Sequence, residues 1–191
     1  NLPENQNQDV TGNVLATVNG EEITAQEVTQ TQQSLQRQGQ NISQEEALGQ
    51  MIDREVLFQE AQQEKYLPSD ADAESVITSQ LEQQGQGMAL EEYKKQIQSM
   101  GVSYEDELQS VKEQLAVQNY IEAELGNKSF NVTEQEMQTF YNNYKEQSPQ
   151  EIPPFQELKP QLETSLKQRK QQEFISSLIQ DLKENATVEI K

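Results

Sequence analysis

The last third of the chain carries its most regular pattern of apolar and polar positions. Apolar side chains recur there at steps of three or four residues, and Lys170 fills the one missing step. The apolar members of this series are Phe155, Leu158, Leu162, Leu166, Phe174, Leu178 and Leu182. The spacing predicts one long helix with an apolar stripe along a single side. Over residues 155–184 it would measure about 45 Å at roughly 1.5 Å per residue, and its stripe needs earlier helices to pack against.

The two ends of this long helix carry separate signals. Pro160 interrupts the pattern, so we expect it to mark the first turn, with the regular helix beginning around Leu158 or Lys159. After the helix, residues 187–190 alternate and are rich in β-branched side chains, which favours a short strand. Residues 14–18 have the same character and precede an Asn-Gly turn signal. The sequence therefore predicts one small pair of strands, at residues 14–18 and 187–190.

Five helix starts share one sequence signal between residues 24 and 136. Each has a serine or threonine followed three residues later by an acidic residue, the pattern of a capping box. The pairs are Thr24 with Glu27, Ser43 with Glu46, Ser69 with Asp72, Ser103 with Asp106, and Thr133 with Glu136. A shorter helix is predicted at residues 90–100, closed by a glycine. The helix from residue 43 to about 65 is the most apolar of the first half, and we expect it to meet the final helix. The prediction is an all-α, elongated fold.

The overall composition changes this picture in two ways. Hydrophobic residues make up 32% of the chain and the net charge is −19, and low hydrophobicity with high net charge is the composition of disordered proteins. The regular apolar spacing argues against disorder for most of the chain, and the low hydrophobic content predicts a thin, elongated core. The net charge of −19 argues against nucleic-acid binding, because phosphates would be repelled by nearly the whole surface. An acidic surface serves solubility or attracts basic partners, and both interpretations stay open.

The residue types present exclude much catalytic chemistry. The chain contains no cysteine and no histidine, which removes thiol and imidazole catalysis and the usual zinc and copper sites. Its paired glutamates are adjacent or belong to capping boxes, positions that normally face water. We therefore expect no catalytic residue, no metal and no cofactor, and a protein that is not an enzyme.

The beginning of the chain is polar, and no stretch approaches the roughly 20 apolar residues of a membrane span. We expect residues 1–13 to form a flexible lead from which any signal peptide is already removed. A lipid-bearing cysteine before Asn1 in a precursor stays open.

Residues 81–104 are the predicted binding region for polypeptides. Met88, Tyr93, Met100 and Tyr104 lie there beside glycines. Methionine and tyrosine together make an adaptable surface for varied apolar segments. The alternative is that these four side chains pack inside a helical lobe, and the sequence leaves both open.

Several motifs, taken in order, are similar to one known family. The stretch Ala-Thr-Val-Asn-Gly-Glu-Glu-Ile-Thr at residues 16–24 resembles the opening signature of extracytoplasmic foldases of the SurA and PrsA type. Residues 47–61, with the Leu-Pro-Ser-Asp turn at 67–70, resemble the helix that follows in that family. Residues 132–137 with Tyr141 are similar to the segment before the family's parvulin domain, and residues 154–159 with the closing helix to the segment after it. The resemblance spans residues 14–190.

One departure from the family pattern affects the implied function. Where isomerase members carry a parvulin domain, only about ten residues join the flanking segments here, too few for a domain. The histidines and cysteines associated with parvulin active sites are also absent. The resemblance thus implies a SurA N-terminal-like chaperone domain without prolyl-isomerase activity. We expect a helical core at residues 14–145, a linker at 146–154 where the parvulin domain would be inserted, and residues 155–191 completing the same core. Whether that domain is naturally absent or was removed stays open.

The resemblance implies an ATP-independent holdase outside the cytoplasm, in the bacterial periplasm or on the outer face of the cell membrane. It would bind unfolded or nascent secreted proteins through an apolar groove. The alternative is a non-catalytic docking or dimerisation module that kept the fold but lost general binding. Long helices joined by a flexible linker would also permit a homodimer formed by segment exchange.

Overall fold

The computed structural model describes residues 13–83, 89–99, 101–148 and 152–191. Within these residues the chain forms seven helices and three short strands. The strands are β1 (Val14–Val18), β2 (Glu21–Thr24) and β3 (Val188–Ile190). The helices are α1 (Ala25–Arg37), α2 (Gln44–Gln63), α3 (Asp70–Gln83), α4 (Leu90–Ser99), α5 (Tyr104–Gly126), α6 (Glu134–Gln147) and α7 (Phe155–Asn185). The predicted all-α fold is confirmed. The predicted flexible lead lies almost wholly outside the described residues.

The strands form one antiparallel sheet in the order β2-β1-β3. The predicted pairing of β1 with β3 is confirmed, and Thr17 lies opposite Glu189. The additional strand, β2, joins β1 through Asn19 and Gly20, whose φ angles are 51° and 93°. Two residues with positive φ give a turn whose twist matches a hairpin. Strand β2 was not predicted, because only Ile23 of its four residues is buried and its sequence shows no alternation of apolar and polar residues.

Asn19 connects three parts of the fold. Its side-chain Nδ2 donates to Gln59 Oε1 on α2 at 2.7 Å. Its Oδ1 accepts from the backbone N–H of Thr187, and its own N–H donates to the Thr187 carbonyl, both at 2.8 Å. Gln59 also donates to the carbonyl of Val18 at 3.0 Å. These bonds fix the hairpin against α2 and the end of the chain.

Replacing Asn19 with alanine should lower the free energy of unfolding by about 1–2 kcal/mol. The variant loses two exposed side-chain hydrogen bonds and places a Cβ-bearing residue without local hydrogen bonding at positive φ. Urea unfolding followed by circular dichroism measures the change. Asn19→Gly is the matched variant: it loses the same bonds but tolerates the φ angle, so it should be affected less. An unchanged urea midpoint for Asn19→Ala would contradict this role.

The helix starts follow the predicted signal at four of five sites. Thr24, Ser43 and Thr133 form complete capping boxes, and Ser69 exchanges the same bonds with Asp72. At the fifth site the predicted start is confirmed, since Ser103 is the N-cap residue of α5, but its side chain makes no capping bond, so the predicted capping box is wrong there. The three acidic residues in the first turn of α5 stabilise that helix end through the helix dipole instead.

Helix α7 starts at Phe155 and continues through Pro160, so the predicted later start was wrong. Proline removes one backbone hydrogen bond, the one to the carbonyl of Gln156. Gln156 is exposed, so water can satisfy that carbonyl. None of the described helices is both long and apolar enough to cross a bilayer.

Most of the buried hydrophobic residues form three clusters, and Ala73, Ile77 and Leu81 of α3 and Ile97 of α4 lie outside them. The sheet cluster joins β1, β2, α1 and α2: Ala16, Val18, Ile23, Val28, Ala47, Ile52 and Val56. The α2–α5 cluster contains Leu57, Ala61, Ala116 and Tyr120. The α6–α7 cluster contains Met137, Tyr141, Leu162 and Leu166. Ile179 and Leu182, near the end of α7, pack against the first two clusters. The final helix therefore packs back on the N-terminal helices, as predicted.

Candidate functional site

A groove of about 820 Å³ follows one side of α2, and we call it the α2 groove. Its floor is the side of α2 that carries Met51, Glu55 and Phe58. One wall comes from β2 and α1, and the other from Ser110 and Glu113 of α5. The α2 residues that line it run from position 50 to 62, about 18 Å at 1.5 Å per residue. This length suits several residues of an extended chain.

The helical repeat explains why α2 can line a groove and still belong to the core. Met51, Glu55 and Phe58 are spaced four and three residues apart, so they share one side of the helix. Other sides of α2 place Ile52, Val56, Leu57 and Ala61 in the core. Met51 packs against the sheet cluster and Phe58 against the α2–α5 cluster, and both remain partly exposed. The groove floor therefore offers two apolar surfaces held by a rigid helix.

The α2 groove is acidic. Among the described residues that line it, five are glutamates and one, Arg54, is a cation. Arg54 pairs with Glu113 at 3.4 Å. Burial raises the pKa of Glu55, and repulsion from Glu21 and Glu113 adds to this effect, although a hydrogen bond from Gln59 opposes it. The carboxylates of the described residues do not form a group that could hold a metal ion.

The predicted binding region at residues 81–104 is only partly described, since Met88 and Met100 lie outside the described residues. Tyr93 lies on α4, and its hydroxyl donates to Glu107 Oε1 at 3.3 Å. Tyr104 begins α5, and its hydroxyl donates to Glu74 Oε1 at 3.0 Å. The Nζ atom of Lys94 lies 4.4 Å from the centroid of the Tyr104 ring, so α3, α4 and α5 meet at this residue.

Both tyrosine rings are partly buried, and their surroundings bear on how they could bind a ligand. Burial, followed by the bond to Glu74, raises the pKa of Tyr104 to about 12. Burial raises the pKa of Tyr93 as well, together with the charge of Glu107. Tyr104 lines a groove of about 530 Å³ beside Val102 and Leu108, whereas Tyr93 is not among the lining residues. Peptide binding by these tyrosines stays a prediction.

The α2 groove was not predicted from the sequence. The apolar pattern at residues 43–65 predicts a core helix, which is correct for most of its circumference. The sequence does contain one signal of the groove. At positions 51, 54, 55 and 58, apolar and charged residues lie on the same side of one predicted helix. The walls could not be predicted, because they come from residues 21–34 and 110–113, which only the tertiary fold brings beside α2.

Comparisons with known proteins bear on the fold. No protein-family model matches the chain, and no curated protein matches its sequence. A solved structure from Campylobacter jejuni is similar to this chain. It comes from work that describes the virulence factor PEB4 and the periplasmic protein Cj1289 as two structurally related SurA-like chaperones. The TM-score is 0.62 at 14% sequence identity, over 93% of this chain and 98% of that chain. The fold is that of SurA-like chaperones. At this identity the likeness concerns the fold, and it agrees with the family resemblance in the sequence.

Proposed function

We propose that this protein is an ATP-independent holdase that binds unfolded or nascent secreted polypeptides in the α2 groove. The observation that carries the proposal is the groove itself. It is about 18 Å long, its floor exposes the two apolar side chains of Met51 and Phe58 between polar walls, and it lies on a fold similar to SurA-like chaperones. Concave surfaces of this kind suit extended segments that place side chains on an apolar floor. The similarity of the fold supports a chaperone-type function.

The groove accounts for weak and general binding. A bound segment would lay apolar side chains on Met51 and Phe58, and burial of this surface would supply the affinity. Rim glutamines such as Gln30, Gln50 and Gln62 carry both donors and acceptors, so they can bond a peptide backbone of any sequence. Release would occur by dissociation, without covalent chemistry or a cofactor.

The domain organisation and location belong to the same proposal. We place the site of an inserted parvulin domain at residues 146–154, which comprise the last two residues of α6 and its connection to α7. In support, the two helices pack directly against each other, and the hydroxyl of Tyr141 donates to the carbonyl of Pro153 at 3.0 Å. The chain would act outside the cytoplasm, where secreted polypeptides fold.

Replacing Met51 with glutamate should weaken the suppression of client aggregation. The concentration of this protein that gives half-maximal suppression should rise about tenfold. The substitution removes an apolar contact worth about 1.5–3 kcal/mol when fully buried, and 1.4 kcal/mol is a factor of ten in affinity. Met51 is partly exposed, so folding should persist. The measurement is light scattering from two unrelated, chemically unfolded proteins diluted into buffer without ATP.

Two matched substitutions make this test specific. Leu67 is 42% exposed and lies outside the α2 groove, so Leu67→Glu should keep full activity. Val102 is also 42% exposed and lies beside Tyr104, so Val102→Glu tests the tyrosine surface. Loss of suppression in Val102→Glu but not in Met51→Glu would move the site to the predicted region at residues 81–104. No suppression by the unaltered protein at several-fold excess would favour a docking or dimerisation module.

A further inference from the structure

We propose that the α2 groove selects segments in which lysine or arginine stands next to an apolar residue. This inference rests on the proposed function, since it names the class of polypeptide that the same groove would prefer. It follows from where the carboxylates lie relative to the apolar floor, and it distinguishes the groove from a merely acidic surface.

Carboxylates line the groove on every side. Glu21 and Glu22 come from β2, Glu27 from α1, Glu55 from the floor and Glu113 from α5. A polypeptide segment bound in the groove would therefore have carboxylates on both sides of it and beneath it. Arg54 offsets only part of this charge, because it is the single cation among the described lining residues.

The carboxylates differ in how far they are already satisfied. The Glu27 carboxylate accepts hydrogen bonds from the backbone N–H and the hydroxyl of Thr24, and Glu113 pairs with Arg54. Glu21 and Glu22 are exposed, and neither forms an ion pair with a cation of the described residues. A cation from a bound segment would supply the missing partner for the β2 wall.

Glu55 places a charge within the apolar floor. It lies four residues after Met51 and three before Phe58, which is about 6 Å and 4.5 Å along the helix axis. An apolar side chain resting on either residue would put its neighbour within reach of this carboxylate. Lysine and arginine suit the position, because their methylene stems cover apolar surface while their charged ends meet carboxylates.

The surroundings of Glu55 give a separate argument. Burial and the charges of Glu21 and Glu113 raise its pKa against a hydrogen bond from Gln59, so its charged form is less stable than that of a free glutamate. A bound cation would favour the charged form and relieve the repulsion from Glu21 and Glu113. A neutral segment would gain the apolar contacts alone, and an acidic segment would add to the repulsion.

The test compares three fluorescent peptides of about 12 residues. The first alternates lysine with apolar residues in a glycine- and serine-rich frame, the second has glutamine for each lysine, and the third has glutamate. Fluorescence anisotropy would give each Kd at ~50 mM and ~500 mM salt, where screening differs strongly. The cationic peptide should bind the unaltered protein about tenfold more tightly than the neutral one at low salt. This preference should shrink at high salt.

Two triple variants separate the groove from the acidic surface as a whole. The groove variant carries Glu21→Gln, Glu22→Gln and Glu55→Gln. The control variant carries Glu82→Gln, Glu146→Gln and Glu163→Gln, which are exposed residues outside the groove, and it has the same net charge. The groove variant should reduce the preference for the cationic peptide to about twofold or less, while the control variant keeps most of it.

The outcomes distinguish the two proposals. Equal binding of cationic and neutral peptides would overturn the selection and leave the holdase proposal standing, because the groove would still bind apolar segments. An equal loss of preference in both triple variants would also overturn it, since the whole surface would then be responsible. Failure of all three peptides to bind would overturn both proposals.

Discussion

Replacing Leu166 with alanine is expected to lower the free energy of unfolding by about 3 kcal/mol. Leu166 is only 1% exposed and packs with Met137, Tyr141 and Leu162 between α6 and α7. Truncation removes buried methyl groups and leaves a cavity, because the surrounding side chains relax only in part. Chemical denaturation measures the change. Gln168→Ala, an exposed position on the same helix, is the matched control and should change stability little.

The loss should be concentrated in one part of the molecule. The α6–α7 cluster shares no buried residue with the sheet cluster or the α2–α5 cluster. Hydrogen exchange in Leu166→Ala should therefore accelerate in α6 while β1 and β3 keep their protection. An equal acceleration in β1 would contradict this, and would show that the three clusters unfold as one cooperative unit.

The helices could be predicted from sequence because their boundaries depend on local chemistry. A hydroxyl and a carboxylate three residues apart satisfy the first N–H groups of a helix without help from distant residues. Thr24, Ser43, Ser69 and Thr133 act in this way, and the predicted start after Ser103 is also correct, although its side chain makes no capping bond. The pairing of β1 with β3 was predictable for a related reason, since two short β-branched segments each needed a partner.

The errors arose where a distant contact or solvent decided the outcome. Strand β2 is held by its hairpin and by the burial of Ile23, although its first two residues are exposed glutamates. Pro160 was expected to delay the start of α7. The helix tolerates it because the carbonyl that loses its helical partner belongs to Gln156, which is exposed, so water can bond it.

The candidate site was the least predictable feature. Tyrosine and methionine residues predict a polypeptide-binding region at residues 81–104, because their binding chemistry can be recognised in one stretch of sequence. The α2 groove depends on three separate stretches of sequence. Only one of them, the side of α2 that carries Met51 and Phe58, can be recognised from its apolar residues. A sequence pattern indicates which side of a helix is apolar, but not which of its neighbours leaves that side uncovered.

Replacing Ala116 with leucine is expected to lower the free energy of unfolding by about 2 kcal/mol and to weaken client binding. Ala61 on α2 and Ala116 on α5 are both fully buried in the α2–α5 cluster, where small side chains let the two helices approach closely. A leucine at this contact would force off-rotamer side chains or a shift of the backbone, which costs about 1–3 kcal/mol.

The effect on binding follows from the position of Ala116. Glu113 lies one turn earlier on α5 and forms part of the groove wall, so a displaced α5 would move that wall away from Met51 and Phe58. Urea unfolding and the aggregation assay measure the two effects in the same variant. Ala71→Leu on α3 is the matched control, because Ala71 is exposed and the added side chain meets solvent there. If Ala116→Leu lost stability but bound clients as before, the α5 wall would have no part in the site, and binding would rest on the α2 floor and the β2–α1 wall alone.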